Sequence, residues 1–367
     1  MNSPTTPRPG IRVAVRVACG ALLLALIAGC SSSERVVSLG DTAGSAERVA
    51  PTPGVLSKDP WTFGAAKGEV VHTANYRVFT TEKNPIIKDR MIAFVEYAIA
   101  RYRTAFAPLP GPSEKLDTYL MDNRGQWEQL TQRLMGDQAK QLSMIQRGGF
   151  ASRGIGVYYD LGLFDTIAIA SHEGWHQYTQ RTFKDPLPTW LEEGVAVYME
   201  GHRWSGATPL FVPWGNLERF DQLRKAKGDG SLIPFDQLLA SRPQDYLGNA
   251  GSSLLTYYAQ LWALTHFLNS GEGGKYAPSF QALLSDAARG SFRSNLVRSQ
   301  GERAADSAMA TRTGPAAFLA YFSPDIDAVG KEYAVFVERL VAPGTRDLVV
   351  AGKTPEEALT PTSVKAP

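Results

Sequence analysis

The sequence predicts an α+β fold: a small N-terminal mixed sheet carrying a metal-binding helix, followed by a mainly helical C-terminal lobe. Three observations lead there. Segments of strand composition gather before residue 160, at Tyr76–Thr81, Leu116–Met121 and Gly148–Tyr159. Beyond residue 163 helical apolar spacing dominates. At the join stands His172-Glu173-Gly174-Trp175-His176, in which two histidines four positions apart share one helix face and can reach a single ion.

The first 29 residues read as a lipoprotein signal peptide rather than as part of the fold. Arg8, Arg12 and Arg16 form a basic start without an acid, and Val17–Ala28 is an apolar run of twelve. A membrane-spanning helix needs roughly 20 residues, so this run is too short. Ile27-Ala28-Gly29-Cys30 resembles a bacterial lipobox, which makes Cys30 the expected lipidation site and membrane anchor. Ser31 follows it where an Asp often retains lipoproteins at the inner membrane, so the resemblance favours the outer membrane of a bacterial cell envelope. Residues 30–66, rich in Ser, Gly, Pro and Ala, read as a flexible tether. The only other cysteine, Cys19, lies in the leader, so the exported domain is expected to owe its stability to packing and metal rather than disulfides.

The domain is expected over residues 67–341, with ordered structure from about Val70. Tyr76–Thr81 is the first strand. Asn84-Pro85 opens a helix whose apolar pattern runs through Ile87, Met91, Phe94, Val95, Ala98, Tyr102 and Phe106. Leu116–Met121 is a strand and Gln126–Met135 a helix. Gly148–Tyr159 is a Gly-rich strand or hairpin, either structural or an edge on which a peptide could pair. Phe164–Arg181 is the helix of the histidine pair, and Pro186 and Pro188 end it. Thr189–Met199 follows, with Thr189 as N-cap and Glu192 three residues on as a capping box. Residues 201–247 are mixed, and part of them could cover the cleft. Ser252–Leu268, Pro278–Ala287 and Asp327–Leu340 are further helices. Residues 342–367 are expected to be a loosely held tail, with Thr354-Pro355-Glu356-Glu357 able to start a short helix.

The chemistry concentrates in two segments. His172 and His176 are expected metal ligands, and Glu173 stands beside them to take a proton from water. Trp190-Leu191-Glu192-Glu193-Gly194 supplies a carboxylate seventeen positions after His176. Glu192 and Glu193 compete for that role. Glu192 is engaged if the capping box forms, whereas Glu193 shares a face with Glu200 seven positions on, so Glu193 is the expected third ligand. Glu200 then orients a ligand imidazole from behind. Two imidazoles, one carboxylate and an open position describe a hydrolytic site for one zinc ion. His202 and His266 are expected to be structural, and His72 has no assigned role.

These two segments, His172–His176 and Trp190-Leu191-Glu192-Glu193-Gly194-Val195-Ala196, resemble those of gluzincin metallopeptidases, including aminopeptidase-N-like members with a Trp-Leu-x-Glu-Gly-x-Ala segment. The resemblance implies a zincin-like fold and carries the third zinc ligand onto Glu193. The linker is slightly shorter than in those aminopeptidases, and no Gly-Ala-Met-Glu-Asn-type element for a free amino terminus is found. A closer resemblance is to gluzincin-like domains of bacterial exported proteins, in which a helix like Tyr258-Ala259-Gln260-Leu261-Trp262-Ala263-Leu264 follows the metal segments. That resemblance sets the helix against the site and makes Tyr258, with Tyr257 as the alternative, the expected oxyanion donor.

The expected function is therefore a membrane-anchored zinc peptidase, most simply an endopeptidase, acting on a peptide or protein with metal-activated water and Glu173 as general base. Two rivals are a catalytically silent scaffold of the same fold, which a fourth protein ligand such as His202 would favour, and an amidase of cell-wall peptide cross-links. Removing the three leader arginines leaves 35 basic against 36 acidic side chains (38 − 3 against 36), and no basic block with interleaved aromatics occurs. Nucleic acid is therefore not an expected partner.

Overall fold

The computed structural model describes residues 54–142, 145, 148–246 and 252–362. The expected leader, Cys30 and the expected tether up to residue 53 lie outside the described residues. The chain begins as an antiparallel meander of β1 (Ser57–Phe63), β2 (Ala66–His72) and β3 (Tyr76–Thr80). It crosses through α1 (Pro85–Tyr102) to β4 (Leu116–Met121), which lies parallel to β3. After α2 (Arg124–Met135) and α3 (Ala139–Leu142), the hairpin of β5 (Phe150–Ser152) and β6 (Ile155–Tyr159) adds β6 parallel to β4. The sheet order is β1-β2-β3-β4-β6-β5, so β1 and β5 are its two edges.

The expected α+β architecture is present: a mixed N-terminal sheet, then helices. The pair α4 (Leu163–Thr182) and α5 (Thr189–Met199) comes first, followed by a short hairpin of β7 (His202–Ser205) and β8 (Thr208–Phe211). Next are α6 (Leu217–Gly228), α7 (Phe235–Ala240), α8 (Ser252–Ser270), α9 (Ala277–Arg289), α10 (Phe292–Gln300), α11 (Glu302–Thr311), α12 (Ala316–Tyr321) and α13 (Ile326–Leu340). Among the described residues no helix is long and apolar enough to cross a membrane.

The main core joins α1, α4, α5 and α8 through Phe94, Tyr102, Trp175, Tyr178, Val195 and Leu261. Burial of side chains this large is the main stabilising term, at ~1.5–3 kcal/mol each. A smaller cluster of Trp127, Phe150, Val157 and Tyr159 packs α2 against the β5–β6 hairpin. Gln177 fixes α4 to the sheet, donating to the carbonyls of Asp117 (2.8 Å) and Gly154 (3.2 Å) while accepting from Thr118 Oγ1 (3.2 Å).

Two boundaries differ from expectation. The tether expected to reach residue 66 ends sooner, because β1 occupies 57–63. β1 is an edge strand, exposed along most of its length, with Pro60 in it and only Phe63 buried, so it lacks the apolar alternation that marks a strand. Trp61 nevertheless packs on Phe79 and Tyr119. The expected loose tail instead forms α14 (Thr345–Ala351) and α15 (Glu356–Leu359), with Val349 and Ala358 buried. Thr362 closes it, donating its amide and hydroxyl to the two oxygens of Glu272, each at 2.6 Å. Helices of seven and four residues are too short for a periodic pattern to declare itself.

Candidate metal centre

Helices α4 and α5 bring the predicted ligands together. His172, His176 and Glu193 form a buried group whose ligand atoms all lie within 4.8 Å of one another. Glu193 Oε2 stands 3.4 Å from His172 Nε2 and 3.6 Å from His176 Nε2. Two ligands each ~2.0–2.2 Å from a tetrahedral ion are about 3.3–3.6 Å apart, so the carboxylate–imidazole spacings suit one cation. All three of these atoms are buried without a hydrogen-bond partner. Buried polar atoms left unpaired cost about 1–3 kcal/mol each, and a shared ion removes the cost. The donor set of two nitrogens and one oxygen fits zinc.

The far nitrogens are spoken for. His172 Nδ1 lies 2.9 Å from Glu200 Oε1, and His176 Nδ1 lies 3.0 Å from Glu192 Oε1. A carboxylate at Nδ1 keeps the proton there and would turn the Nε2 lone pair toward a shared cation. Glu200 thus reaches the His172 ring at the nitrogen turned away from Glu193. Glu192 departs from expectation. No capping box forms, because Pro188 occupies the N-cap and has no N–H to offer, and the Thr189 amide donates instead to Arg312 O at 2.7 Å. The free carboxylate takes His176 and the Thr179 hydroxyl (2.7 Å), with Arg312 at 3.8 Å.

Glu173 is fully buried beside the pair. Its Oε2 accepts from the Ala151 amide on β5 at 2.8 Å, and Oε1 is left without a partner. Burial lifts its pKa above the ordinary carboxylate value, although the two neighbouring histidines pull the other way. The Ala151 carbonyl accepts from Gln180 at 3.3 Å, so both outward groups of Ala151 serve α4, and peptide pairing on β5 would have to use other positions.

Burial alone would keep His172 neutral, yet the Glu193 carboxylate at its Nε2 side and the Glu200 carboxylate at Nδ1 outweigh this and raise its pKa. For His176 the same opposition, led on the acidic side by the Glu193 charge, raises the pKa further. Glu193 is correspondingly held well below the ordinary range despite burial. Glu200, whose burial is outweighed chiefly by the Arg219 charge, is pushed down to about 2.

Tyr258, on α8, sets its ring edge-on to His172 with centroids 6.1 Å apart, and its buried hydroxyl has no partner. Tyr257 is accounted for by a 3.1 Å bond to Ser241 O. His202 lies outside the ligand group, with Nδ1 2.9 Å from Glu200 O, and His266 stacks on Trp214 at 3.5 Å. His72 pairs with Asp59 at 2.9 Å, away from the centre.

Two glycines in the metal segments are dictated by packing. A Cβ on Gly174 would stand 2.6 Å from the Tyr102 hydroxyl, and one on Gly194 would stand 2.6 Å from Thr265 Oγ1.

Sequence reasoning missed Arg219 and Asn216. Arg219 donates Nε to Glu200 Oε2 (3.1 Å) and Nη2 to Oε1 (3.0 Å), and Asn216 Nδ2 donates to Oε2 (2.9 Å). One hint was available: Arg219 falls in the first turn of a helix, where the macrodipole disfavours a cation, so a specific partner was to be expected.

Residues 166–288 match the family described as "Protein of unknown function (DUF1570)". The match runs from α4 into α9 and takes in His172, His176, Glu193, Glu200, Arg219 and Tyr258. A search of curated proteins gives no match.

Proposed function

We propose that this protein is a zinc-dependent peptidase, most simply an endopeptidase, held at a bacterial cell envelope through lipid on Cys30. The observation that carries the hydrolytic reading is a group of buried, unpartnered ligand atoms, two imidazole nitrogens and a carboxylate oxygen at ligand spacing; Glu173 Oε1 on the same helix and the Tyr258 hydroxyl, whose ring lies 6.1 Å from that of His172, are likewise buried without partners. A divalent ion bound by the three ligands supplies Lewis acidity, lowering the pKa of water toward 7 and polarising a substrate carbonyl.

The protein's own groups do the remainder. Glu173, oriented through Oε2 by Ala151, would take on Oε1 a proton from the water whose oxygen adds to the peptide carbonyl carbon, and pass it to the amine released as the C–N bond breaks. Its burial-raised pKa suits both halves of that task. The Tyr258 hydroxyl donates to the oxygen on which negative charge develops. Among the described residues no fourth His, Cys, Asp or Glu joins the ligand group, which leaves room for reactants rather than closing the site.

A silent scaffold is the second reading, and burial favours it: Glu173 is 0% and Glu193 5% exposed, so substrate reaches them only if the surroundings open. The deciding experiment takes metal-loaded full-length protein and a peptide library. Glu173→Gln is expected to retain one zinc per chain and to lose cleavage by at least ~100-fold. Cleavage by that variant at the wild-type rate would refute the mechanism, and a wild type that binds zinc without cleaving would favour the scaffold.

A further inference from the structure

We propose that Arg219 is a positioning residue for this centre, acting through Glu200 on His172 to retain the metal, so that the helix after the β7–β8 hairpin belongs to the site without touching the ion. The inference rests on the metal reading above.

Its basis is the completeness of the contact. The Arg219 guanidinium meets both oxygens of Glu200 in a forked pair, and its third nitrogen donates to Gln222 Oε1 at 3.2 Å. The same group lies over the Tyr258 ring, 5.4 Å from its centroid. Asn216 caps α6 by accepting the Arg219 amide at 3.3 Å, and its other amide atom donates to Glu200. The start of α6 is thereby built around one carboxylate, whose remaining contact is His172 Nδ1. A buried cation in a helix first turn is unfavourable by itself, so the arrangement is accounted for by its partner. A planar fork fixes both oxygens of Glu200, and hence the plane of the imidazole it holds; an ammonium group lacks that geometry.

The test measures metal binding, independent of turnover, on the full-length protein. Arg219→Lys keeps the charge and loses the fork. The double variant Arg219→Met with Glu200→Gln removes both charges at similar volume, and covers the case in which the single variant does not fold. Loss of an outer partner of a metal-bound histidine typically costs 10–100-fold in affinity. Both variants are expected to bind zinc at least ~10-fold more weakly than wild type in chelator competition, and their cobalt-loaded forms to shift in visible absorption. Arg219→Gln should be no better than Arg219→Lys. Wild-type affinity and an unshifted cobalt spectrum in either folded variant would overturn the assignment while leaving the metal reading intact. A wild type that takes up no zinc or cobalt would overturn both.

Discussion

Gly194→Ala probes how closely α5 must lie on α8 for Glu193 to meet the histidines. The added Cβ would stand 2.6 Å from Thr265 Oγ1 and 3.3 Å from the Leu261 carbonyl. Ordinary contact begins near 3.4 Å, so the shortfall at Oγ1 is 0.8 Å (3.4 − 2.6). Thr265 cannot simply turn away, because it is buried and its hydroxyl donates to Leu261 O at 3.0 Å. Overpacking of this kind costs ~1–3 kcal/mol. Alanine recovers about 1 kcal/mol of helix propensity, leaving a net loss of ~0–2 kcal/mol. Displacing α5 also moves Glu193, so zinc binding should weaken in parallel. The assay is urea unfolding of Gly194→Ala, Thr265→Ala and the double variant, with zinc competition on each. Thr265→Ala removes the obstructing oxygen, so the cycle should give a favourable coupling of ~1 kcal/mol or more. A Gly194→Ala protein more stable than wild type by the full propensity gain, or strictly additive variants, would refute the close-approach argument.

Two further outcomes follow from the same structure. The raised pKa of His176 means that, with metal removed, its contribution to stability is fully present below its unfolded value near 6.5 and is lost as pH rises through the folded value. Chelated protein should therefore lose stability above about pH 6.5, while zinc affinity rises over the same range as protons stop competing; a flat profile in both measurements contradicts the pairing of His176 with Glu192 and Glu193. Truncation after Pro343 removes buried Val349 and Ala358 and the forked Arg346–Asp221 pair (3.0 and 2.9 Å) that ties α14 to α6. It should cost about 2–4 kcal/mol in chemical denaturation, whereas an unchanged midpoint would mean the segment is the loose tail that composition suggests.

What could be read from the sequence was local. His172, Glu173 and His176 declare themselves by spacing on one helix, and Glu193 with Glu200 by spacing on the next; the structure brings all five together. Glu192 was misread for a physical reason: a carboxylate three residues after a threonine is the pattern of a cap, but the helix starts one residue sooner, at a Pro188 cap without an N–H, and the Thr189 amide goes to Arg312 O. Arg219 was out of reach because a β-hairpin and an irregular turn separate it from Glu200, and no periodicity links residues across such a break. Arg312, which donates to Leu187 O and approaches Glu192, lies more distant still in the chain. The short helices of the C-terminal lobe and the polar edge strand β1 escaped because each is stabilised by what it leans on, with little intrinsic pattern.

The charges bear on why the region holds more acid than the one carboxylate of the candidate ligand group. Four carboxylates, the buried Glu173, Glu192 and Glu193 and the part-buried Glu200, meet in one region, and two arginines face them: Arg219 in a forked pair and Arg312 at a looser 3.8 Å. With all four ionised, two arginines would leave two negative charges uncompensated, and isolated charge in a protein interior is costly. A divalent ion supplies what is missing. So do two protons, and they have obvious seats, since both histidines have raised pKa values. A dication bound by the three ligands would offset that excess, and binding would release whatever protons the two imidazoles carry. On this view Glu192 and Glu200 are more than tethers for the rings. Their charges add to the negative potential at the ligand group and favour a cation there.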